Sequence, residues 1–278
     1  MVFSGHVARK RFAQHWLKDD VVLEKIVAAA DLQSHDRVIE VGPGRGALTE
    51  KLLASEVASV HAIELDKDLV AGLNQRFGDE PRFRLSQGDV LKVPLTPSHG
   101  EAIATKVVAN IPYNITGPLL ERLVGRLDRP ADRPYQRLVL LLQREVADRI
   151  CALPGQKSFS ALSVRIQLLA RCSKVCLVSP NCFTPKPKVY SQVIVLQPMK
   201  SEQLLEPVLA SRVEGLIKVA FCARRKMLRN TLAGVCPFFE LDELAKRAGI
   251  RLDQRPQEVP PSSWVELARG LNRSNCGS

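Results

Sequence analysis

Five runs of β-branched and aliphatic residues recur through the first two thirds of the chain, at 37–41, 59–63, 82–86, 106–109 and 137–143. Amphipathic stretches at 48–55, 67–77 and 118–127 separate them, the last with Thr116 as a cap and Pro118 in the first turn. A strand can meet a parallel neighbour only through a long crossover, and a helix is the usual one. The alternation therefore predicts an α/β fold with a parallel sheet and helices on both faces. A helix over 161–170 follows, and strands at 174–178 and 191–196 flank the Pro-rich segment 184–189, which suits an antiparallel pair completing the edge of a seven-stranded sheet. Beyond Met199 strand character disappears, and 206–232, 241–248 and 262–271 have helical periodicity. The predicted division is a sheet domain over 1–198 and a small all-helical domain over 199–278.

The first run ends in Gly42-Pro43-Gly44-Arg45-Gly46 and passes into a helix. Glycines at such a turn let a ligand approach backbone amides at the positive end of the helix. The spacing is G-x-G-x-G, which departs from the dinucleotide fingerprint. Glu64 ends the next strand, 22 residues after Gly42, where an acid can accept two hydrogen bonds from a ribose diol and disfavours a 2′-phosphate. Gly88-Asp89 follows the third strand, and an aspartate there can accept from an adenine amine. An adenosine moiety fits this order of groups.

Asn110-Ile111-Pro112-Tyr113 follows the fourth strand. The exocyclic amine of adenine is a poor nucleophile because its lone pair is delocalised into the ring. An Asn side-chain oxygen and the Ile111 carbonyl before Pro112 can both accept its N–H groups, directing the lone pair outward, and Tyr113 offers a face for stacking the base. Such chemistry requires alignment more than a strong base, and no metal cluster is visible in the sequence.

The formal net charge of +11 favours polyanionic partners through counterion release. Arg9, Lys10 and Arg11 interrupt the amino terminus, and no apolar run approaches bilayer length, so the reading is a soluble, unexported protein without a membrane partner. The seven cysteines contain no C-x-x-C pair; neither a disulfide framework nor a zinc site is suggested, and small buried hydrophobes in a reducing compartment are expected.

Six stretches together resemble the KsgA-type ribosomal RNA adenine dimethyltransferase family, along nearly the whole chain. They are Lys10-Arg11-Phe12-Ala13-Gln14-His15-Trp16-Leu17, Glu40 to Gly46, Glu64-Leu65-Asp66, Gly88-Asp89-Val90, Asn110 to Asn114, and Phe183-Thr184-Pro185-Lys186-Pro187-Lys188-Val189. The resemblance implies a Rossmann-like class I methyltransferase fold that uses S-adenosylmethionine. It implies that His15 and Leu17 close over that cofactor, with Gly42 and Gly44 at its amino-acid end, Glu64 at the ribose and Asp89 at the adenine. Asn110 then stands between cofactor and target base, Pro112 and Tyr113 complete the catalytic tetrapeptide, and Phe183 stacks on the base opposite Tyr113. The family commonly has Asn-Phe where this chain has His15-Trp16, so a backbone contact from position 15 transfers better than a side-chain one.

Phe221 to Asn230 resembles the carboxy-terminal signature of the same branch. Read as one helix, it sets Arg225 and Arg229 at i and i+4 with Arg224 and Lys226 beside them, a cationic face for RNA phosphates. The resemblance implies a cytoplasmic monomer that dimethylates two adjacent adenosines near the 3′ end of 16S ribosomal RNA in an immature 30S subunit. Two other readings stay open. The related macrolide-resistance branch shares the tetrapeptide but modifies large-subunit RNA, and mitochondrial transcription factors of the superfamily bind nucleic acid without catalysis.

Overall fold

The computed structural model describes residues 14–95, 103–131 and 135–274; Arg9, Lys10, Arg11, Phe12, Ala13 and Cys276 lie outside them. The chain opens with a two-residue strand β1 (Trp16–Leu17) and helix α1 (Asp20–Ala30). It then alternates β2 (Arg37–Val41), α2 (Ala47–Leu53), β3 (Ser59–Glu64), α3 (Lys67–Phe77), β4 (Phe83–Gln87), β5 (Lys106–Asn110), α4 (Thr116–Val124) and β6 (Arg137–Gln143). Helices α5 (Arg144–Ile150) and α6 (Ala161–Leu169) precede β7 (Ala170–Val178), β8 (Phe183–Thr184) and β9 (Ser191–Pro198). The rest is helical: α7 (Pro207–Phe221), α8 (Leu228–Thr231), α9 (Phe238–Arg247) and α10 (Pro261–Ser274).

Seven strands hydrogen-bond in the order β4-β3-β2-β5-β6-β9-β7, the mostly parallel sheet that the sequence pattern predicts. Strands β2 to β6 run parallel, and β9 joins β6 antiparallel with Leu140 opposite Ile194. Val38, Val60, Val108 and Val139 pack in one cluster with Ile26 of α1 and Leu52 of α2. Their strand neighbours Ile39, Ile63, Val107 and Leu138 point to the opposite face and are buried as well. Both faces are thus covered, as a parallel sheet requires.

The two late strands, β7 and β9, complete one edge of the sheet as expected, with β9 next to β6 and β7 outermost, and the short β8 between them in sequence pairs with β1 in a separate two-stranded sheet. Two local expectations are corrected. Helix α4 starts at Thr116, with no cap there, because a 3₁₀ turn over Tyr113–Ile115 leads directly into it; left-handed Gly125 (φ 86°) ends it before Leu127. The six described cysteines are free thiols, but five are half-buried and Cys222 is exposed. Cys172 and Cys176 lie on the edge strand, where no further strand covers one side.

The chain packs as two units. One takes the chain up to Leu123, a segment ending at Ala147, and Ser173–Pro198; the other takes everything from Met199 onward together with two earlier pieces, Asp148–Cys172 and a short stretch that begins at Val124. In the second unit α7 packs on α6, α8 and α10, around fully buried Trp264. Among the described residues no helix is long and apolar enough to cross a membrane.

Two buried acids organise the first unit. Asp36, at the entry to β2, takes the Lys106 ammonium at 2.6 Å, the Thr105 hydroxyl at 2.7 Å and the Gln33 amide at 2.8 Å. Lys106 also donates to the Asp31 carbonyl, so α1, β2 and β5 are pinned at the amino edge of the sheet. Burial opposes ionisation of Asp36, but Lys106, Thr105 and the Gln33 amide outweigh it and hold its carboxyl below the usual range. Glu40, in the middle of β2, is 1% exposed; its Oε2 accepts the Thr49 hydroxyl at 2.7 Å, and Oε1 has no partner among the described residues. Burial pushes its pKa up to about 8, with the neighbouring Glu64 adding to the shift, so at neutral pH Glu40 is mainly protonated.

Lys106→Met leaves the Asp36 carboxylate uncompensated and should destabilise the fold by about 3–5 kcal/mol in urea unfolding. A raised pKa gives stability that is complete below the unfolded value and is lost as pH rises through the folded one. For Glu40 that window runs from 4.5 to about 8. The melting temperature should fall across this window in the wild type, and Glu40→Gln should flatten the fall.

Candidate active site

Strands β2, β3 and β5 all end at the same edge of the sheet, and β2 lies where the strand order switches direction. In open α/β sheets the crevice at such a point is where ligands bind. A cavity of about 310 Å³ lies there, within the range of small-molecule sites. Its wall includes His15, Gly42, Gly44, Glu64, Asp89, Asn110, Pro112 and Tyr113, eight of the residues the sequence picks out.

The glycine turn is built by backbone geometry. Gly42, Gly44 and Gly46 all have left-handed φ, at 69°, 59° and 82°, a region costly for other residues. A Cβ on Gly42 would reach to 3.7 Å from the Asn110 carbonyl and 4.0 Å from Pro112, in the gap between the turn and the tetrapeptide. A Cβ on Gly44 would collide with the Trp16 ring at 2.7 Å, and the Arg45 guanidinium covers that ring at 4.1 Å.

Glu64 closes β3, and its two oxygens accept the amides of Gly44 at 3.1 Å and Asp66 at 2.9 Å. Burial raises its pKa, and the Asp66, Gly44 and Leu65 amides counter the rise. Each oxygen keeps a lone pair for a further donor. Asp89 turns the chain after β4, its Oδ1 accepting the Leu91 amide at 2.9 Å. Asn110 ends β5, and its Nδ2 donates to the His15 main-chain carbonyl at 3.0 Å, which leaves Oδ1 as an acceptor. Tyr113 follows on the 3₁₀ turn. Its hydroxyl lies 2.6 Å from Ser191 Oγ, and burial raises its pKa while that contact opposes the rise.

Two expected site residues are elsewhere. Phe183 is 1% exposed and belongs to the hydrophobic core, so no face of its ring is open for a base. Leu17, which pairs with it across β1 and β8, is 6% exposed in the same core and does not line the cavity. The antiparallel pairing turns both side chains inward. Sequence reasoning missed Gln14, whose Nε2 donates to Asp66 at 3.1 Å, and Ser191 beneath Tyr113. Neither has a local signal, since both partners are more than 50 residues away in the chain.

The basic segment also departs from expectation. No single helix spans 206–232: α7 stops at Phe221, 222–227 is a turn, and α8 has four residues. The amides of Leu228 and Arg229 bond to the carbonyls of Gln254 and Leu252, and these tertiary bonds replace helical ones. Arg225 and Arg229 therefore do not share one helix face. Arg224 donates to the carbonyls of Lys157 at 3.0 Å and Phe159 at 2.8 Å, a structural use of its guanidinium. Arg225, Lys226 and Arg229 are exposed.

Comparison with known proteins agrees with this geometry. The family model described as "Ribosomal RNA adenine dimethylase" matches residues 5–273. The chain is 69% identical to "Ribosomal RNA small subunit methyltransferase A" of Prochlorococcus marinus (strain MIT 9313), over 99% of this chain and 98% of that one. It is 66% identical to the protein of the same name from Synechococcus sp. (strain WH7803), with the same coverage. Among solved structures, a dimethyladenosine transferase from Plasmodium falciparum superposes with a TM-score of 0.77 at 25% identity, covering 94% of this chain and 98% of that one. The 23S rRNA methyltransferase ErmE gives 0.75 at 25% identity, covering 92% and 99%. On its match along almost the full length, the chain belongs to the ribosomal RNA adenine dimethylase family.

Proposed function

We propose that the chain transfers methyl groups from S-adenosylmethionine to the N6 amines of two adjacent adenosines near the 3′ end of 16S ribosomal RNA. It acts as a cytoplasmic monomer on immature 30S subunits. The observation that carries this reading is the Asn110 amide, held by the His15 carbonyl so that its oxygen remains an acceptor on the cavity wall. The identity of 69% with a small-subunit methyltransferase, against 25% with ErmE, favours small-subunit over large-subunit RNA.

The residues present fit the cofactor. The gap at Gly42 that a Cβ would fill gives backbone access, with Gly44 beside it at the amino-acid end. Glu64 would hold the ribose hydroxyls, and Asp89 would accept from the adenine amine. Bound S-adenosylmethionine supplies an electrophilic methyl group on a positively charged sulfur.

The protein's own part is alignment. Asn110 Oδ1 and the Ile111 carbonyl accept the two N6 hydrogens of the target adenine, which turns the nitrogen lone pair away from the ring. Pro112 has no amide hydrogen and removes a donor that would compete at this point. Tyr113, held by Ser191, gives the base a fixed face. Phe183 is buried in the core, and this supports giving the stacking role to Tyr113. The helical region after Met199 would contact RNA through Arg225, Lys226 and Arg229, and Arg224 would shape that surface from within.

Labelled methyl transfer to unmethylated small subunits, followed by nucleoside analysis, should yield N6,N6-dimethyladenosine at two neighbouring sites. Asn110→Ala should lower turnover about a hundredfold while leaving cofactor affinity nearly unchanged. Methylation of protein-free large-subunit RNA in place of small subunits would refute the substrate, and cofactor binding without transfer to either would refute catalysis on ribosomal RNA. The double substitution Arg225→Glu with Arg229→Glu should weaken subunit binding and reduce the slope of log affinity against log salt by about 2. An unchanged slope would remove these residues from the interface.

A further inference from the structure

His15 stands where the family commonly has Asn, and its side chain reaches to the loop after β8. Imidazole Nδ1 lies 2.8 Å from the Pro185 carbonyl oxygen. A carbonyl can only accept, so Nδ1 carries the hydrogen and donates it. The ring rests against Tyr113, with centroids 5.7 Å apart and planes inclined by 31°. Tyr113 is thereby held twice, its hydroxyl by Ser191 on β9 and its ring by an imidazole moored to the loop after β8. The main chain of the same residue orients Asn110. Among the described residues, the hydrogen bond from the His15 side chain runs to Pro185, not to Gly42, Glu64 or Asp89.

We propose that the His15 side chain is a positioning residue for the target adenine, setting the plane of Tyr113 against which the base stacks. This rests on the methyl-transfer reading above. In-line attack on a methyl group tolerates little tilt of the nucleophile, because misplacement by a fraction of an ångström removes orbital alignment. The second transfer is the more demanding. The amine then carries one methyl group, which must be accommodated beside the base, and it has one hydrogen left for Asn110 Oδ1 and the Ile111 carbonyl to share. With His15 removed, Tyr113 keeps its contact to Ser191 but can swing about it, and the second step suffers more than the first.

The test compares wild type, His15→Ala and His15→Phe on unmethylated small subunits. Calorimetry reads S-adenosylmethionine affinity, and nucleoside analysis reads product. For His15→Ala we expect cofactor affinity within about twofold of wild type, turnover lower by about tenfold, and N6-monomethyladenosine accumulating in place of the dimethyl product. His15→Phe keeps a ring against Tyr113 and should recover most of the dimethyl product. Cofactor affinity falling in step with turnover would return His15 to the cofactor side and overturn the proposal. Unchanged turnover and product ratio, or a phenylalanine variant no better than alanine, would also overturn it. Wild-type protein that methylates no adenine would instead defeat the function reading, and this role with it.

Discussion

The parallel pairing of β2 with both β3 and β5 is the constraint on which the site depends. With Val41 opposite Ile63 on one side and Ala109 on the other, Gly42, Glu64 and Asn110 all leave the sheet at one level. A slip of one residue would turn every side chain of a strand to the other face. The register is held from the opposite edge, where Asp36 and Lys106 join β2 to β5 through a pair that is 0% and 6% exposed. A buried pair of this kind contributes little net stability over an apolar replacement, but it penalises any register that separates the charges.

Residues 14–17 show how a segment with almost no regular structure can be specified. Strand β1 has two residues and would not persist alone. It is held by β8, by Gln14 to Asp66, by Trp16 between Gly44 and Arg45, and by His15 to both Asn110 and Pro185. Each contact is modest, a cation–π pair being about 0.5–2 kcal/mol. Their partners come from the glycine turn, the end of β3, the tetrapeptide and the Pro-rich loop. The segment thus ties together the cofactor side and the base side of one cavity. Trp16 also places a larger ring than the family's usual Phe against Gly44, where only a residue without a Cβ fits.

Glu40 and Glu64 show how acids on adjacent strands take different parts. Glu40 is sealed in the sheet, with a single hydroxyl for company, and is held mainly protonated. Glu64 faces the cavity with two amides on its oxygens, and these oppose the effect of burial. The inner acid braces α2 through Thr49, and the outer one remains an acceptor for hydroxyl groups.

The sequence by itself determined the sheet, the turn and the chemical groups. Strands 37–41 and 137–143 and helix 67–77 were legible to the residue, since burial on both faces of a strand and on one face of a helix leaves a local period. Gly42, Glu64, Asp89 and Asn110 were legible because each ends a strand and parallel topology gathers strand ends. Tertiary structure alone decided what depends on distant partners. Phe183 has no local mark of burial, and it is the pairing of β8 with β1 that turns it into the core. The break after Phe221 has no proline or glycine to announce it; carbonyls at 252 and 254 capture the amides that a longer helix would use, and Lys157 and Phe159 capture Arg224. Periodicity records which face of an element is buried, whereas a hydrogen bond between segments dozens of residues apart leaves no period to read.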